Sequence, residues 1–318
     1  MRRGTRVFLL KKLLELLLTA FLVTMISFVL MQISPVDAAQ AYVQRHQTAI
    51  TPELVEQTRE EMGLNDPLPV QYGRWLQGAL HLDFGTSYVN RQDVFEQTTT
   101  AFAFTAKVVL LAGGMELVLI VLIGSLCYAC RRKIAGALLS ALCFAAISIP
   151  PFFLASSLID IFAMKLGWIS VVGNTGLMRY LPAAVCFTVG TAAFFAPLLA
   201  TNIEKEMELD SADYARCRGL SERRILLRYA MPTAIAAILP SFFQMLALSL
   251  AGAIIVEQVF SLPGLGYLIM SSVTNRDPPV VHATILFLAL ALSAFNILSD
   301  VLRRALDRGG LTGGEGSV

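Results

Sequence analysis

Lys107, Glu116, Asp160 and Glu257 are charged side chains inside or at the ends of long apolar runs. A charge at the centre of a bilayer costs about 2.5–3.5 kcal/mol on insertion scales, so each position needs a reason. Glu116 lies near the middle of its run. A carboxylate there can line a polar path, relay protons, or bond a neighbouring helix. Lys107 sits nine positions earlier in the same run, which is about 900° of helical rotation and roughly 13 Å along the axis. The two therefore point to opposite faces and cannot pair, and the Lys107 stem can carry its ammonium outward to water. Asp160 and Glu257 lie near run ends, where water is close. Both are candidates for a polar path, with structural hydrogen bonding as the plainer reading.

Nitrogen and sulfur ligands are sparse. His46, His81 and His282 are the three histidines, and no two lie within four residues of each other, so no recognisable metal spacing is present. Cys127-Tyr-Ala-Cys130 has the C-x-x-C form of a redox pair or half a metal site. It also reads as two small apolar residues at a helix end, just before Arg131-Arg132-Lys133; with no second such pair and no histidine nearby, that second reading is the better one. No G-x-x-x-x-G-K-[ST] run occurs, so this phosphate-binding loop is missing. No His-rich, paired-Asp or Ser/Lys cluster stands in a loop, and catalysis by this chain is not expected.

The elements that must position these residues are membrane helices. Of 318 residues, 56% are hydrophobic and only 15% charged, against roughly 25% charged in a soluble domain. The net charge of +2 is too small to imply a nucleic-acid partner. Six runs approach the roughly 20 apolar residues a helical span requires: 10–32, 104–129, 135–161, 180–202, 233–257 and 281–302. The expected fold is all-α and integral to the membrane. Ile149-Pro150-Pro151 should kink or interrupt the third span. The first run follows five basic residues like a signal peptide, but it is longer than a roughly 7–15-residue signal core and reads as a retained span.

Lysine and arginine set the orientation. Six spans place seventeen of them on one side (residues 2–12, 131–133, 205–228 and 303–308) and seven on the other. The richer side is cytoplasmic, with both termini. The long loop 33–103 then lies outside, and its segment TPELVEQTREEMG reads as a short amphipathic helix.

Between spans four and five stands a basic island, SADYARCRGLSERRILLRYAMP, from Ser211 to Pro232. A solvated positive-inside loop explains its charge but not its form. Residues 203–217 have no helix breaker, Gly219 can end a helix in the left-handed conformation, and Ser221 offers the next N-cap. Pro232 falls near the first turn of the fifth span. Ala215 and Gly219, four apart, give a small-residue face that another surface could approach.

The stretch resembles the cytoplasmic signature of ABC-importer permeases: Glu-Ala-Ala, three residues, Gly, nine residues, Ile-x-Leu-Pro. Here it reads Asp213-Tyr214-Ala215, three residues, Gly219, nine residues, Tyr229-Ala230-Met231-Pro232. Ala, Gly and Pro keep their spacing, while Asp replaces Glu and Tyr replaces the first Ala. EEMGLNDPLPVQYGRWLQGALHLDFGTS (60–87) and the stretch 252–281, with GAIIVEQVFSLPGLGYLI and NRDPPVV, are similar to the peptide/opine/nickel branch, and VQYGRWLQGALHLDFG most resembles nickel-import permeases. The resemblance covers nearly the whole chain.

It implies a type I importer permease fold with three regions: a first span and periplasmic loop (1–103), a five-span core with the coupling loop at 203–232 (104–306), and a flexible tail (307–318). It makes Asp213, Ala215, Arg216, Gly219, Leu220 and Pro232 the residues that couple to an ATPase. Gly219 would set the turn, Ala215 would permit close docking, Leu220 would offer an apolar contact and Arg216 a charged one. It implies an ATP-binding partner that carries ATP and magnesium, a second permease subunit, and an external solute-binding protein, in a bacterial inner membrane. The substrate it favours is nickel or a nickel chelate, with di- or oligopeptides the alternative; His81 lies in the nickel-like stretch as a weak ligand candidate. An ion-driven carrier of a different class would need an internal repeat, and none is visible.

Overall fold

The computed structural model describes residues 3–33, 37–46, 50–167 and 176–308. The helices run in chain order as α1 (Arg3–Ile33), α2 (Ala38–His46), α3 (Pro52–Glu61), α4 (Leu68–Leu80), α5 (Val94–Cys130), α6 (Ile134–Ile147), α7 (Pro151–Leu158), α8 (Leu181–Met207), α9 (Asp210–Cys217), α10 (Glu222–Ile225), α11 (Met231–Val259), α12 (Leu265–Thr274) and α13 (Pro278–Arg308). Wider π turns extend α7 over Ile159–Lys165 and join α10 to α11 over Leu226–Ala230. No strand occurs among the described residues; a single antiparallel bridge, Thr86 to Asp93, closes the loop before α5.

Five helices are long and apolar enough to cross a membrane: α1, α5, α8, the α10–α11 rod and α13. Apolar side chains on nearly every face suit them to lipid, where only internal hydrogen bonds satisfy the backbone. The third expected span is not a straight helix. The chain leaves α6 at Ile147, passes Pro150-Pro151 and restarts in α7 with a 92° bend, so α6 and α7 form a broken pair. Pro151 lacks the N–H that would continue α6, and Pro150 holds its predecessor out of the helical region. The second span begins at Val94 rather than at 104. The TPELVEQTREEMG segment forms α3, with the Thr51 hydroxyl accepting the Leu54 N–H at 3.3 Å. The expected tail beyond Arg308 lies outside the described residues.

The contacts divide the chain into two units. Unit 1 comprises 1–106 and 253–293: α1 to α4, the start of α5, the end of α11, α12 and the start of α13. Its core packs Phe84, Val94, Val280 and Ala283 against Trp75, Phe95 and Phe287. Unit 2 comprises 107–252 and 294–318, and the mostly buried α8 runs through it. Phe195, Leu199, Ile203 and Phe242 fill its core. Gly124 brings α5 close to α8: a methyl there would lie 2.9 Å from the Ala196 carbonyl oxygen. The Ser299 hydroxyl donates to the Pro240 carbonyl at 2.6 Å and ties α13 to α11.

Candidate functional site

The basic island, in unit 2, folds as a bracket of short helical segments. Helix α8 stops at Met207, and Leu209 adopts an extended backbone before α9 starts. The predicted unbroken helix through 203–217 is thus divided, although the segment contains neither Gly nor Pro. At its far end α9 closes with Gly219 at φ +77°. Gly219 N–H bonds the Arg216 carbonyl at 2.9 Å and Leu220 N–H bonds that of Ala215 at 3.2 Å, the paired closure of a Schellman motif. Ser221 holds the N-cap position of α10 without a side-chain cap bond. The π turn at Leu226–Ala230 widens the helix just ahead of Pro232, whose ring would otherwise meet the carbonyl one turn earlier.

Arg216 holds the bracket together. Its Nε donates to Glu222 Oε1 at 2.7 Å, one terminal nitrogen to Asp213 Oδ1 at 2.5 Å, and the other to the Met207 carbonyl at 2.9 Å. The three bonds join the end of α8, α9 and α10. They hold the guanidinium pKa above its ordinary value, Glu222 contributing most and Asp213 next. Arg216 is therefore committed within the chain rather than offered as a free charge. Ala215 is also turned inward, only 6% exposed, so its small methyl sets how closely α9 packs on its own subunit. The outward surface is instead Tyr214, 67% exposed, with Cys217, Arg218 and Gly219. Arg218 lies over the Tyr214 ring at 5.9 Å. Asp213 and Pro232 are exposed and Leu220 is half-buried.

The intramembrane carboxylates separate into three situations. Glu257, in unit 1, is fully buried and fully bonded. Its Oε1 accepts from the Thr105 hydroxyl at 2.6 Å, and its Oε2 accepts from Gly266 N–H at 2.7 Å and Tyr267 N–H at 3.3 Å. Thr105 in turn accepts Leu265 N–H at 2.8 Å. The first three N–H groups of α12 are thereby satisfied, and the carboxylate sits at the positive end of that helix. A side chain on Gly264 would overlap the carboxylate, and one on Gly266 would overlap the Ile254 backbone. Glu257 thus caps α12. Glu116, in unit 2, is also fully buried, yet neither oxygen has a well-formed hydrogen bond; the buried Thr191 hydroxyl is its polar neighbour. Leaving a buried polar group unpaired costs about 1–3 kcal/mol. Asp160 is exposed and pairs with Lys165 at 2.7 Å across the wide turn. Lys107 is exposed.

Unit 1 also carries a cleft of about 920 Å³ between α1, α3, α4 and the start of α13. Its rim pairs Arg59 with Asp37 at 2.5 Å, and Arg74 with Asp66. The hydrogen bond that Arg59 donates to the Asp37 carboxylate holds the Arg59 pKa above its usual value. The wall includes Phe28, Trp75 and His282. His282 stacks on Phe28 at 3.8 Å and shares a 2.7 Å hydrogen bond between Nδ1 and the Ser27 hydroxyl. Nearby, the buried Asp277 accepts from the Ser87 hydroxyl at 2.5 Å and Tyr88 N–H at 3.0 Å. Burial pushes the Asp277 carboxyl above its usual range against the pull of those bonds, and burial, aided by the Asp277 charge, pushes the Tyr88 hydroxyl up. His81 is exposed with Nδ1 at 2.8 Å from the Gln77 carbonyl oxygen. No three His, Cys, Asp or Glu side chains among the described residues could hold a metal together.

Residues 120–309 match the model of the binding-protein-dependent transport system inner membrane component, and residues 5–109 match the N-terminal part of such components. The chain belongs to this permease family. Relatives span its length. The metal-staphylopine import system permease protein CntB of Staphylococcus aureus is 27% identical over 301 residues, covering 94% of this chain and 96% of CntB. A putative peptide transport system permease protein of Brucella abortus is 29% identical, covering 94% and 97%. The glutathione transport system permease protein GsiC of Shigella boydii is 28% identical, with the same coverage. The fold resembles a chain of the MetNI methionine ABC transporter, with a TM-score of 0.53 and 19% identity over 65% of this permease and 95% of that chain. It also resembles a chain of an amino acid ABC transporter, with a TM-score of 0.52 and 20% identity over 66% and 94%.

This permease is a non-catalytic, multi-pass inner-membrane subunit of an ABC importer, and its family implies ATP-binding and substrate-binding partners. Sequence reasoning found the bracket, the Gly219 turn and the cost of Glu257. It missed Tyr214 as the exposed face, because the matched pattern directed attention to Ala215. It also missed Thr105, whose hydroxyl is one among many in an apolar run and gains meaning only beside α12.

Proposed function

We propose that this permease forms half of the translocation pore of an importer for nickel or a metal chelate, and that the 209–230 bracket is the lever on which an ATP-binding subunit pulls. The observation that carries the lever reading is Arg216. Its bonds, one of them to a backbone carbonyl, span three helices and give force applied at Tyr214, Arg218 and Gly219 a path into α8 and α11. A second permease subunit completes the pore, most simply as a heterodimer. ATP and magnesium reside on the ATP-binding partner, and the long outside region 33–103 meets an external solute-binding protein. Both termini are cytoplasmic, following the excess of Lys and Arg on that side. Peptides are the runner-up substrates: the named relatives divide between a metal complex and peptides.

Gly219→Asp tests the lever. Aspartate tolerates the left-handed conformation better than most residues, at about 1–2 kcal/mol, so the subunit should still reach the membrane. A carboxylate at the turn should abolish uptake and transport-stimulated ATPase activity in the assembled complex. Normal uptake would sink the coupling role. Uptake of labelled nickel and a labelled dipeptide, with and without the chain, decides the substrate.

A further inference from the structure

We propose that the cleft in unit 1 is a receiving site for the transported molecule, and that it takes a small zwitterion carrying both carboxylate and ammonium groups. This deepens the importer reading and rests on it. The cleft's volume of about 920 Å³ falls at the upper end of the roughly 300–1,000 Å³ of small-ligand sites. Its rim alternates sign: Asp37 with Arg59, and Asp66 with Arg74. Arg74 and Asp66 keep 58% and 42% of their side-chain surface exposed, so their pairing is weak in water and open to exchange. A carboxylate can take over Arg74 while the ligand's ammonium takes over Asp66. A purely anionic or purely cationic ligand would strand one partner of each pair.

The wall supplies unfilled polar capacity. The Trp75 indole stands on the wall with its Nε1–H sealed from water, so it offers a ligand its ring rather than a donor. His282 commits only Nδ1, to Ser27, leaving Nε2 for a ligand. Both rings stand in an aromatic group with Phe28, whose faces suit the stems of such a molecule.

Equilibrium dialysis of the full-length chain in detergent tests the site with three labelled probes: glutathione, dialanine and a nickel–dihistidine complex. At least one should bind at one molecule per chain, with acetate and ethylamine competing at least tenfold more weakly. Arg74→Ala should weaken binding at least tenfold, and Trp75→Ala severalfold, with helical content unchanged by circular dichroism. Gly219→Asp should leave binding intact while uptake is lost, which separates failure of the lever from failure of the site. Absence of binding by all three probes at millimolar concentration overturns the proposal, as does native binding by both cleft variants. A Gln71→Cys thiol shielded from alkylation by a binding protein but by none of the probes also overturns it, making the cleft a protein contact.

Discussion

Two buried glutamates of one chain have opposite reasons to exist. Glu257 receives three donors and caps α12, whereas Glu116 receives no well-formed bond. Replacing each by glutamine separates them. In Glu257→Gln an amide N–H₂ must face donors, and thermal unfolding in detergent should show a loss of about 1–3 kcal/mol. Glu116→Gln has no such bonds to break and should unfold at or above the native temperature. Its uptake then reads its role directly: loss of uptake in a stable variant assigns the carboxylate to the path, and normal uptake assigns it to packing. The sequence marked both positions as costly but could not rank them. The donors to Glu257 come from Thr105, in a different helix, and from backbone N–H groups that point at the carboxylate only once Gly264 lets it approach.

The bracket is the informative element. Its Gly219 closure was readable because few residues besides glycine accept that backbone. The break at Leu209 was not, since no residue there forbids a helix. The break instead accompanies a tertiary arrangement in which Arg216 reaches back to the Met207 carbonyl. The 92° turn after α6 was half legible: two prolines announce an interruption but not its angle. Arg216→Ala should therefore loosen the lever without unfolding the spans. Membrane levels should match the native chain, ATP hydrolysis should persist, and uptake per ATP hydrolysed should fall at least tenfold. Unchanged coupling in that variant would mean the bracket need not be rigid.

At the scale of the molecule, the apolar pattern was the strongest guide. The exposed leucines of α1, from Leu9 to Leu30, leave a surface suited only to lipid or a partner helix. Helical class followed from that pattern; five of the six expected runs are long helices and the third is the bent α6–α7 pair, while the orientation is read from charge alone. The two-unit grouping was not legible, because it brings the first hundred residues together with the end of α11, α12 and the start of α13 across a long stretch of sequence. The orientation predicts that exposed Cys217 reacts with a membrane-impermeant maleimide in inverted vesicles and not in intact cells. Labelling in intact cells would reverse the topology.

The most direct test of the lever uses the same thiol. Cys217 lies at the exposed end of α9, beside Arg218 and Gly219, while Cys127, Cys143 and Cys186 are buried. A photoactivated crosslinker attached to Cys217 in the assembled importer should join this permease to the ATP-binding subunit, with a yield that changes between nucleotide-free and ATP-bound states. A crosslink to any other component, or none in either state, would contradict the account.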